Sequence, residues 1–442
     1  MSKKEIKQVI DSGLCYGCGA CIALDESEDS KMIDTEYGPI PFFAKNSKIP
    51  KDISTICPSV GINYPMLYKY FFRKYPNNWL TGEIEAVRTG YSNDQIIRDS
   101  SASGGVITET LIYLLENKLV DGVILAKQGL PTAEKARAFI ASTRKDIIEC
   151  SQSVYIPVSM LDILKKLDPS KKYAITCLSD QSASLRALQK KKYPPALQIK
   201  FILGPYTGTS LYPAAIRSYL RSKKIKDNDQ IKSLKWRSGA WPGYLEIKTE
   251  SGRVLKSPKV YYNYLIPFFI TQTSLQSMDF VNEFADLAVG DAWSPKYEGQ
   301  TSGYSIVVTR TKKMEAIIQD MIKKNILNLQ LENPFKASDM HGHMLDFKKR
   351  GGYIRNTLRK ISGKYAPEYG YRPAKIGLSR ILIEVIINII FFIGKTKFAR
   401  YLIEQIPESI IGPIFNNSRL FWKKLSRPTK RKGLANYKVF IN

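Results

Sequence analysis

Apolar positions along the chain switch between helical and strand-like spacing in a repeating order. In "RDSSASGGVITETLIYLLENKLVDGVILAKQ" Val106, Leu111, Leu114 and Leu115 recur at helical spacing, and "VDGVILA" follows as a short apolar strand. "KKYAITCLSDQSASLRALQKK" reads as strand, polar loop and helix, and "ALQIKFILGPYTGTSLYPAAIRSYL" repeats the scheme with a Gly/Thr/Ser loop. Alternation of this kind predicts an α/β core whose strand-end loops form a ligand crevice. From residue 231 the texture changes: "SLKWRSGAWPGYLEIKTESGRVLKS" is strand-like with Gly and Ser-Gly turns, "ADLAVGDAWSP" ends an apolar strand at Gly290-Asp291, and "GYSIVVTRT" is another strand. An α+β portion packed on the first is expected. Residues 66–97 read as a linker and entry segment.

Composition narrows the class. With 442 residues, 44% of them hydrophobic, the chain buries a sizeable core and is not disordered. A formal charge of +27 favours nucleic acid, an anionic membrane surface, or acidic substrates and protein partners. "MSKKEIKQVIDSG" holds no apolar core of signal-peptide length, so a cytoplasmic location is expected. In a reducing compartment six cysteines are not a disulfide framework, and four of them lie within the first 57 residues.

Cys15, Cys18 and Cys21 in "GLCYGCGACIALDES" form C-x-x-C-x-x-C, and Gly13, Gly17 and Gly19 leave room for backbone N–H groups to approach sulfide. In the full bacterial run a fourth cysteine serves a second cluster. Here that position is Asp25, followed by Glu26. Cys57-Pro58 in "STICPSVGI" supplies the remote fourth ligand, so the spacing predicts one [4Fe-4S] cluster on Cys15, Cys18, Cys21 and Cys57. A structural zinc site on the same four thiolates is the alternative.

Ser101, Ser103, Gly104 and Gly105 fall at a predicted helix N-terminus, where free N–H groups and the helix dipole suit a phosphate. On pattern alone a simple cap is the commoner reading of such residues.

Several stretches together resemble the beta-subunit family of deazaflavin-coenzyme (F-420) hydrogenases and dehydrogenases, which includes the plant hydroxymethyl-chlorophyll reductase. They are "CYGCGAC" with the later "CP", "RDSSASGGVITETLIYLLENKLVDGVILA", "SQSVYIPVSM", "LSDQSASLRAL", "WRSGAWPGYL" and "ADLAVGDAW". The resemblance implies an FAD-containing iron–sulfur oxidoreductase, since flavin accepts single electrons from a cluster and delivers hydride to an organic acceptor. By motif position it implies a flavin site of Arg98, Ser101, Ser103, Gly104, Gly105 and Thr108, with Ser153, Tyr155, Gly290 and Asp291. For Ser153, Tyr155 and Asp291 a satisfied polar residue at a strand end is the competing reading. The chain then divides into a ferredoxin-like [4Fe-4S] segment (1–75), an FAD-binding oxidoreductase core (76–370) and a basic helical C-terminal region (371–442).

Departures from the family pattern carry information. Many members hold a second [4Fe-4S] cluster; here Asp180, Thr207, Ser274 and Ser277 stand where its thiolates belong, which implies a chain working with one cluster. Cys150 and Cys177 do not replace that set and read as small buried residues. No catalytic acid or base can be assigned, and His341 and His343 read as a solvated pair. The implied partners are a ferredoxin-like or deazaflavin electron donor and an organic substrate, glycan-related if the chain resembles bacterial members of surface-polysaccharide pathways.

The run "ILIEVIINIIFFIG" (381–394) is too short to span a bilayer, and eight Lys or Arg follow Glu408 with no Asp or Glu. Interleaved with Phe415, Leu420, Phe421 and Trp422, they suit an anionic membrane surface through 381–442 or else a solvated tail on a docked helix. Nucleic acid is the weaker use of the charge, since no binding module is visible. Three functions follow: an oxidoreductase with its own substrate, an electron-transfer subunit docking on a separate catalytic partner, and a non-redox binding module.

Overall fold

A computed structural model of the chain describes residues 3–50, 53–298 and 302–442. A short helix, Lys3–Asp11, precedes the first cysteines, and a hairpin of β1 (Lys31–Thr35) and β2 (Gly38–Phe42) follows them. The main sheet uses β3 (Ala86–Ser92), β4 (Gly122–Gln128), β5 (Ala136–Ala141), β6 (Tyr173–Thr176) and β7 (Ile199–Pro205). A separate antiparallel sheet comprises β8 (Ile231–Ser238), β9 (Tyr244–Thr249) and β10 (Val254–Pro258). The chain then returns to the main sheet with β11 (Leu287–Asp291), β12 (Ser305–Thr309) and β13 (Leu327–Glu332). Finally β14 (Tyr371–Pro373) pairs with β15 (Val439–Ile441), so the C-terminal strand closes back on the start of its own region.

Eight strands make the main sheet, in the order β13-β3-β12-β11-β7-β6-β4-β5. β11, β7, β6 and β4 run parallel, β3 shares their direction across the antiparallel β12, and β5 and β13 close the edges antiparallel. The carboxyl ends of five strands therefore open on one edge, the place where α/β sheets hold ligands. Helices cover both faces. Val106, Leu111, Leu114 and Met314 seal one face, while Leu185, Leu188, Leu67 and Tyr68 seal the other. The second core also takes in Ile6, Cys18, Ala20 and Ile56, so the cysteine segment packs directly on the sheet's helical layer.

Two expectations need correction. Residues 66–97 are not a linker: Tyr64–Phe71 is a helix buried through Leu67 and Tyr68, and β3 is an inner strand of the main sheet. Its polar-looking "RTGYS" survives there because Arg88 forms a bidentate pair with Glu315 and Thr89 bonds to Glu332 at 2.7 Å. The second correction concerns the histidines. His341 and His343 sit on the helix Lys336–Asp346, and His341 is buried against Tyr206 and Phe280 rather than solvated.

The C-terminal region is tied to the body by buried ions. Arg380 bonds Asp346 at 2.7 Å and is ion-paired with Glu384 at 2.7 Å, Arg355 pairs with Glu384, and Arg350 bonds Asp346 at 2.6 Å. Three guanidinium groups against two carboxylates, all nearly dry, fix where the long terminal helices start. Among the described residues no helix is long and apolar enough to cross a membrane.

Candidate functional site

Cys15, Cys18, Cys21 and Cys57 border one cavity, with Gly17, Ser59 and Ile56 among its walls. The chain reaches this arrangement through left-handed glycines. Gly17 has φ +61°, and a Cβ there would lie 2.5 Å from the Pro39 carbonyl oxygen, so only glycine lets the loop fold under the β1–β2 hairpin. Gly17 N–H also points at Cys15 Sγ, 3.4 Å away. Cys57 arrives from the turn after Ile53–Thr55, and Ser59 Oγ accepts from Tyr16 N–H at 3.2 Å, which locks the remote ligand to the triad.

Burial pushes the Cys15 thiol up to about 12, and Cys18, Cys21 and Cys57 also rise through burial. The charge of Cys57 acts on Cys15, Cys18 and Cys21, so the four sulfurs lie within electrostatic reach of one another. Among the described residues no group of three or more His, Cys, Asp or Glu is gathered as for a single metal ion. Four covered thiols around a shared cavity nonetheless fit a group that binds deprotonated sulfur from several sides, because such a group offsets the cost that burial imposes on thiolate. Asp25, standing where a further cysteine would be, serves structure: its Oδ1 accepts from Ser27 N–H at 3.2 Å and Lys48 N–H at 2.9 Å.

The flavin candidates fall along the carboxyl edge of the main sheet in two groups. Gly105 caps the helix Val106–Glu116 with φ +76°, as expected for that loop. Gly104 donates its N–H to Ser305 Oγ at 3.0 Å, and a Cβ on it would meet the Gly90 carbonyl at 2.5 Å. Ser103 Oγ donates to the Tyr304 carbonyl at 2.8 Å. Arg98 stacks its guanidinium 3.9 Å over the Tyr91 ring, and its Nε, like Ser101 Oγ, is buried without a hydrogen-bond partner. Two orphaned polar groups beside a helix N-terminus fit an anionic or hydrogen-bonding cofactor group. Thr108 is half-buried one turn into the helix.

The second group begins across β12, where Asp291 stands opposite Ser305 in register. Asp291 Oδ2 accepts from Arg237 Nη1 at 2.8 Å, and Tyr155 OH accepts from Lys259 Nζ at 2.9 Å. Burial works to raise the Tyr155 phenol, but Lys259 and Arg237 outweigh it and hold it below the ordinary tyrosine value. Arg237 Nη2 and Trp241 Nε1 are buried without partners. Gly290 lies against the Tyr206 ring, and His341 Nε2 is 2.9 Å from the Asp291 carbonyl. Beside this cluster runs a crevice of about 550 Å³ lined by Ser100, Cys150, Ser153, Trp236 and Gly239. Ser151 Oγ bonds the Ser100 carbonyl at 2.7 Å, joining the crevice wall to the Arg98 loop. Cys150 and Cys177 are both buried.

Arg237, Lys259 and Trp241 were not selected from the sequence. Arg237 lay within the quoted "WRSGAWPGYL", but only the fold of β8 against β11 shows that it reaches Asp291.

The positions where the family resemblance would put a second set of thiolates are also on view. Lys348 Nζ donates to the Ser274 carbonyl at 2.7 Å, and its charge acts on Asp180, which lies against Ser277 and Tyr16. Ser274 Oγ accepts from Ser210 N–H at 2.8 Å and from Thr271 Oγ1 at 2.8 Å. Asp180, Ser274 and Ser277 are thus gathered around a buried ammonium, whereas the Thr207 hydroxyl turns to the Pro205 carbonyl at 3.2 Å. Burial raises the Asp180 carboxyl to about 6 and lowers Lys348 to about 8.

Comparison with known proteins places the chain in a family. Residues 87–165 match the family model "Coenzyme F420 hydrogenase/dehydrogenase, beta subunit N-term", and residues 170–334 match the corresponding C-terminus. The chain is 25% identical over 394 residues to a coenzyme F420-dependent sulfite reductase of Methanocaldococcus jannaschii, covering 84% of this chain and 55% of that protein. It therefore spans about half the length of that relative. It is 25% identical over 231 residues to the coenzyme F420 hydrogenase subunit beta of Methanosarcina barkeri, covering 50% of this chain and 73% of the relative. In fold it matches a chain of the F420-reducing [NiFe] hydrogenase complex from Methanosarcina barkeri, with TM-score 0.50 and 19% identity over 64% of this chain and 95% of that one. The two family regions together take up more than half of the sequence, and the chain belongs to the coenzyme F420 hydrogenase/dehydrogenase beta-subunit family.

Proposed function

We propose that the chain is an iron–sulfur flavoprotein oxidoreductase with one [4Fe-4S] cluster on Cys15, Cys18, Cys21 and Cys57. FAD would lie along the edge marked by Arg98, Ser101, Gly104 and Asp291, and an organic substrate would be reduced or oxidised beside it. The observation that carries this reading is the convergence of four cysteine thiols on one cavity packed on the helical layer of the main sheet. When bound, the cluster supplies single-electron exchange and the flavin supplies hydride chemistry.

The chain's own residues have definable parts. Arg98 Nε, Ser101 Oγ and the free N–H groups after Gly105 offer donors to phosphate or flavin oxygens. Arg237 and Lys259 bring two positive charges against the single Asp291 carboxylate, which suits an acceptor bearing an acidic group. Tyr155, its proton loosened by those charges, is placed as proton donor at its phenol oxygen. The glycan-related acceptor and the ferredoxin-like or deazaflavin donor belong to the same proposal.

Flavin analysis together with turnover tests it. Full-length chain purified without oxygen should carry flavin and oxidise an artificial reductant when given the acceptor. Tyr155→Phe should keep the flavin and lower kcat by about 100-fold with a changed pH profile. Zinc without flavin would overturn the reading. One observation favours a second reading, an electron-transfer subunit without its own substrate: two of the relatives named above are a hydrogenase subunit and a chain of a hydrogenase complex. Flavin and iron with no turnover by the isolated chain would favour it.

A further inference from the structure

The three helices Leu378–Gly394, Lys397–Gln405 and Glu408–Arg431 place apolar side chains on both sides of themselves. On the first, Ile387 and Phe391 pack inward against Phe347 and Ile270, as a docked helix should. Leu382, Ile386, Ile389 and Ile393, at helical spacing on another side, are exposed. The second helix buries Ile403 but exposes Phe398 (71%) and Tyr401. On the third, Gly412 packs on Tyr261 and Phe415 faces the core, while Ile410, Ile414, Phe421 (69%) and Leu425 share an exposed stripe. A soluble surface rarely leaves so many large apolar side chains together in water. A helix that is apolar all round requires a second apolar neighbour.

Charge identifies the neighbour. Between Leu378 and Lys432 there are 11 Lys or Arg and three Glu. Each Glu is already paired: Glu384 with Arg355 and Arg380, Glu404 with Arg221, and Glu408 with Lys223. No carboxylate of these helices is left to balance the exposed Lys395, Lys397, Lys424 and Arg427. A second copy docking face to face would set this positive surface against itself, which like charges oppose. The 17-residue first helix is too short to cross a bilayer, so the apolar stripes suit lying at an interface rather than spanning one.

We propose that residues 378–432 form a monotopic docking surface that inserts Leu382, Phe398, Phe421 and their neighbours into an anionic lipid leaflet, with the flanking Lys and Arg on the headgroups. This docking does not depend on the redox reading, because it can be measured on chain lacking any cofactor.

Flotation of the full chain with vesicles tests it. Vesicles of phosphatidylcholine and phosphatidylglycerol in equal parts should carry at least about tenfold more chain than phosphatidylcholine alone. Raised salt should weaken that binding without abolishing it. Phe398→Ser with Phe421→Ser, and separately Lys424→Gln with Arg427→Gln, should each lower it about tenfold or more while the circular dichroism spectrum is kept. Three results would overturn the proposal: no flotation with anionic vesicles, a dimer in light scattering that Phe421→Ser dissociates, or undiminished flotation of the double serine variant, which would make the contact one of charge alone.

Discussion

Two polar clusters lie close together in this molecule and have opposite characters. Around Cys15, Cys18, Cys21 and Cys57 the protein leaves a cavity and keeps four thiols whose charged forms burial penalises, with no cation acting on Cys15 or Cys18 among the described residues. Around Asp180, Ser274 and Ser277 there is a buried ammonium, Lys348, which donates to the Ser274 carbonyl and acts by charge on Asp180, while the Ser274 hydroxyl accepts from Ser210 N–H. Tyr16, next to Cys15 in sequence, reaches toward the second cluster and donates to the Thr273 carbonyl at 3.1 Å. One set of side chains borders a cavity and fits a group that binds thiolate. The other has a cation of its own beside it, with Asp180 Oδ1 still lacking a hydrogen-bond partner. The difference teaches that where the family resemblance would put a second set of thiolates, this chain has a buried carboxyl and an ammonium acting on one another.

The largest break in this comparison should come from Cys18→Ser, which removes one thiolate of four. Visible absorption from the cluster should vanish and iron should fall from about four per chain to near none. Ser274→Ala and Ser277→Ala should leave the iron unchanged. Loss of iron in the serine variants as well would show that the two clusters are not distinct in function.

Next in size is Lys348→Met. It strands the Asp180 carboxylate in a dry site and should cost about 3–5 kcal/mol in denaturant unfolding. Adding Asp180→Asn should restore most of it, since removing both charges is far less costly than removing one. A double variant as unstable as the single would mean that Lys348 is held by something other than Asp180.

A smaller effect is expected with pH. The folded-state Asp180 value, about 6, lies above its ordinary 3.8, so the folded chain holds a proton that the unfolded chain releases. Stability relative to Asp180→Asn should therefore fall as pH rises from about 4 to about 6 and stay level above. Lys348, lowered to about 8 from 10.5, runs the other way: stability should climb as pH rises from about 8 toward 10.5, and Lys348→Met should lose that climb. Thermal melts across this range check both.

Much of the cysteine site was legible because local spacing and a Cys-Pro dipeptide carry it, and the same holds for the Gly104-Gly105 loop before an amphipathic helix. The absence of cysteine at Asp180, Thr207, Ser274 and Ser277 was legible as missing letters. The buried ammonium was not: Lys348 lies 168 residues beyond Asp180 on a helix whose sequence reads as solvated charge, "DFKKRGG", and only tertiary packing buries it. Arg237 and Lys259 were missed for the same reason, since strand alternation says which side of β8 and its neighbours a side chain takes but not what faces it. β3 was misread because Arg88 and Thr89 break the apolar pattern, although their partners Glu315 and Glu332 satisfy them inside. His341 was misplaced because a short polar stretch gives no sign that Tyr206 and Phe280 will close over it.

The most direct test of the central claim is the iron and acid-labile sulfide content of the anaerobically purified full chain, read beside its Cys18→Ser and Asp180→Asn variants. The account predicts about four of each in the parent, about none in Cys18→Ser, and about four in Asp180→Asn. About eight of each in the parent, or four surviving in Cys18→Ser, would contradict it.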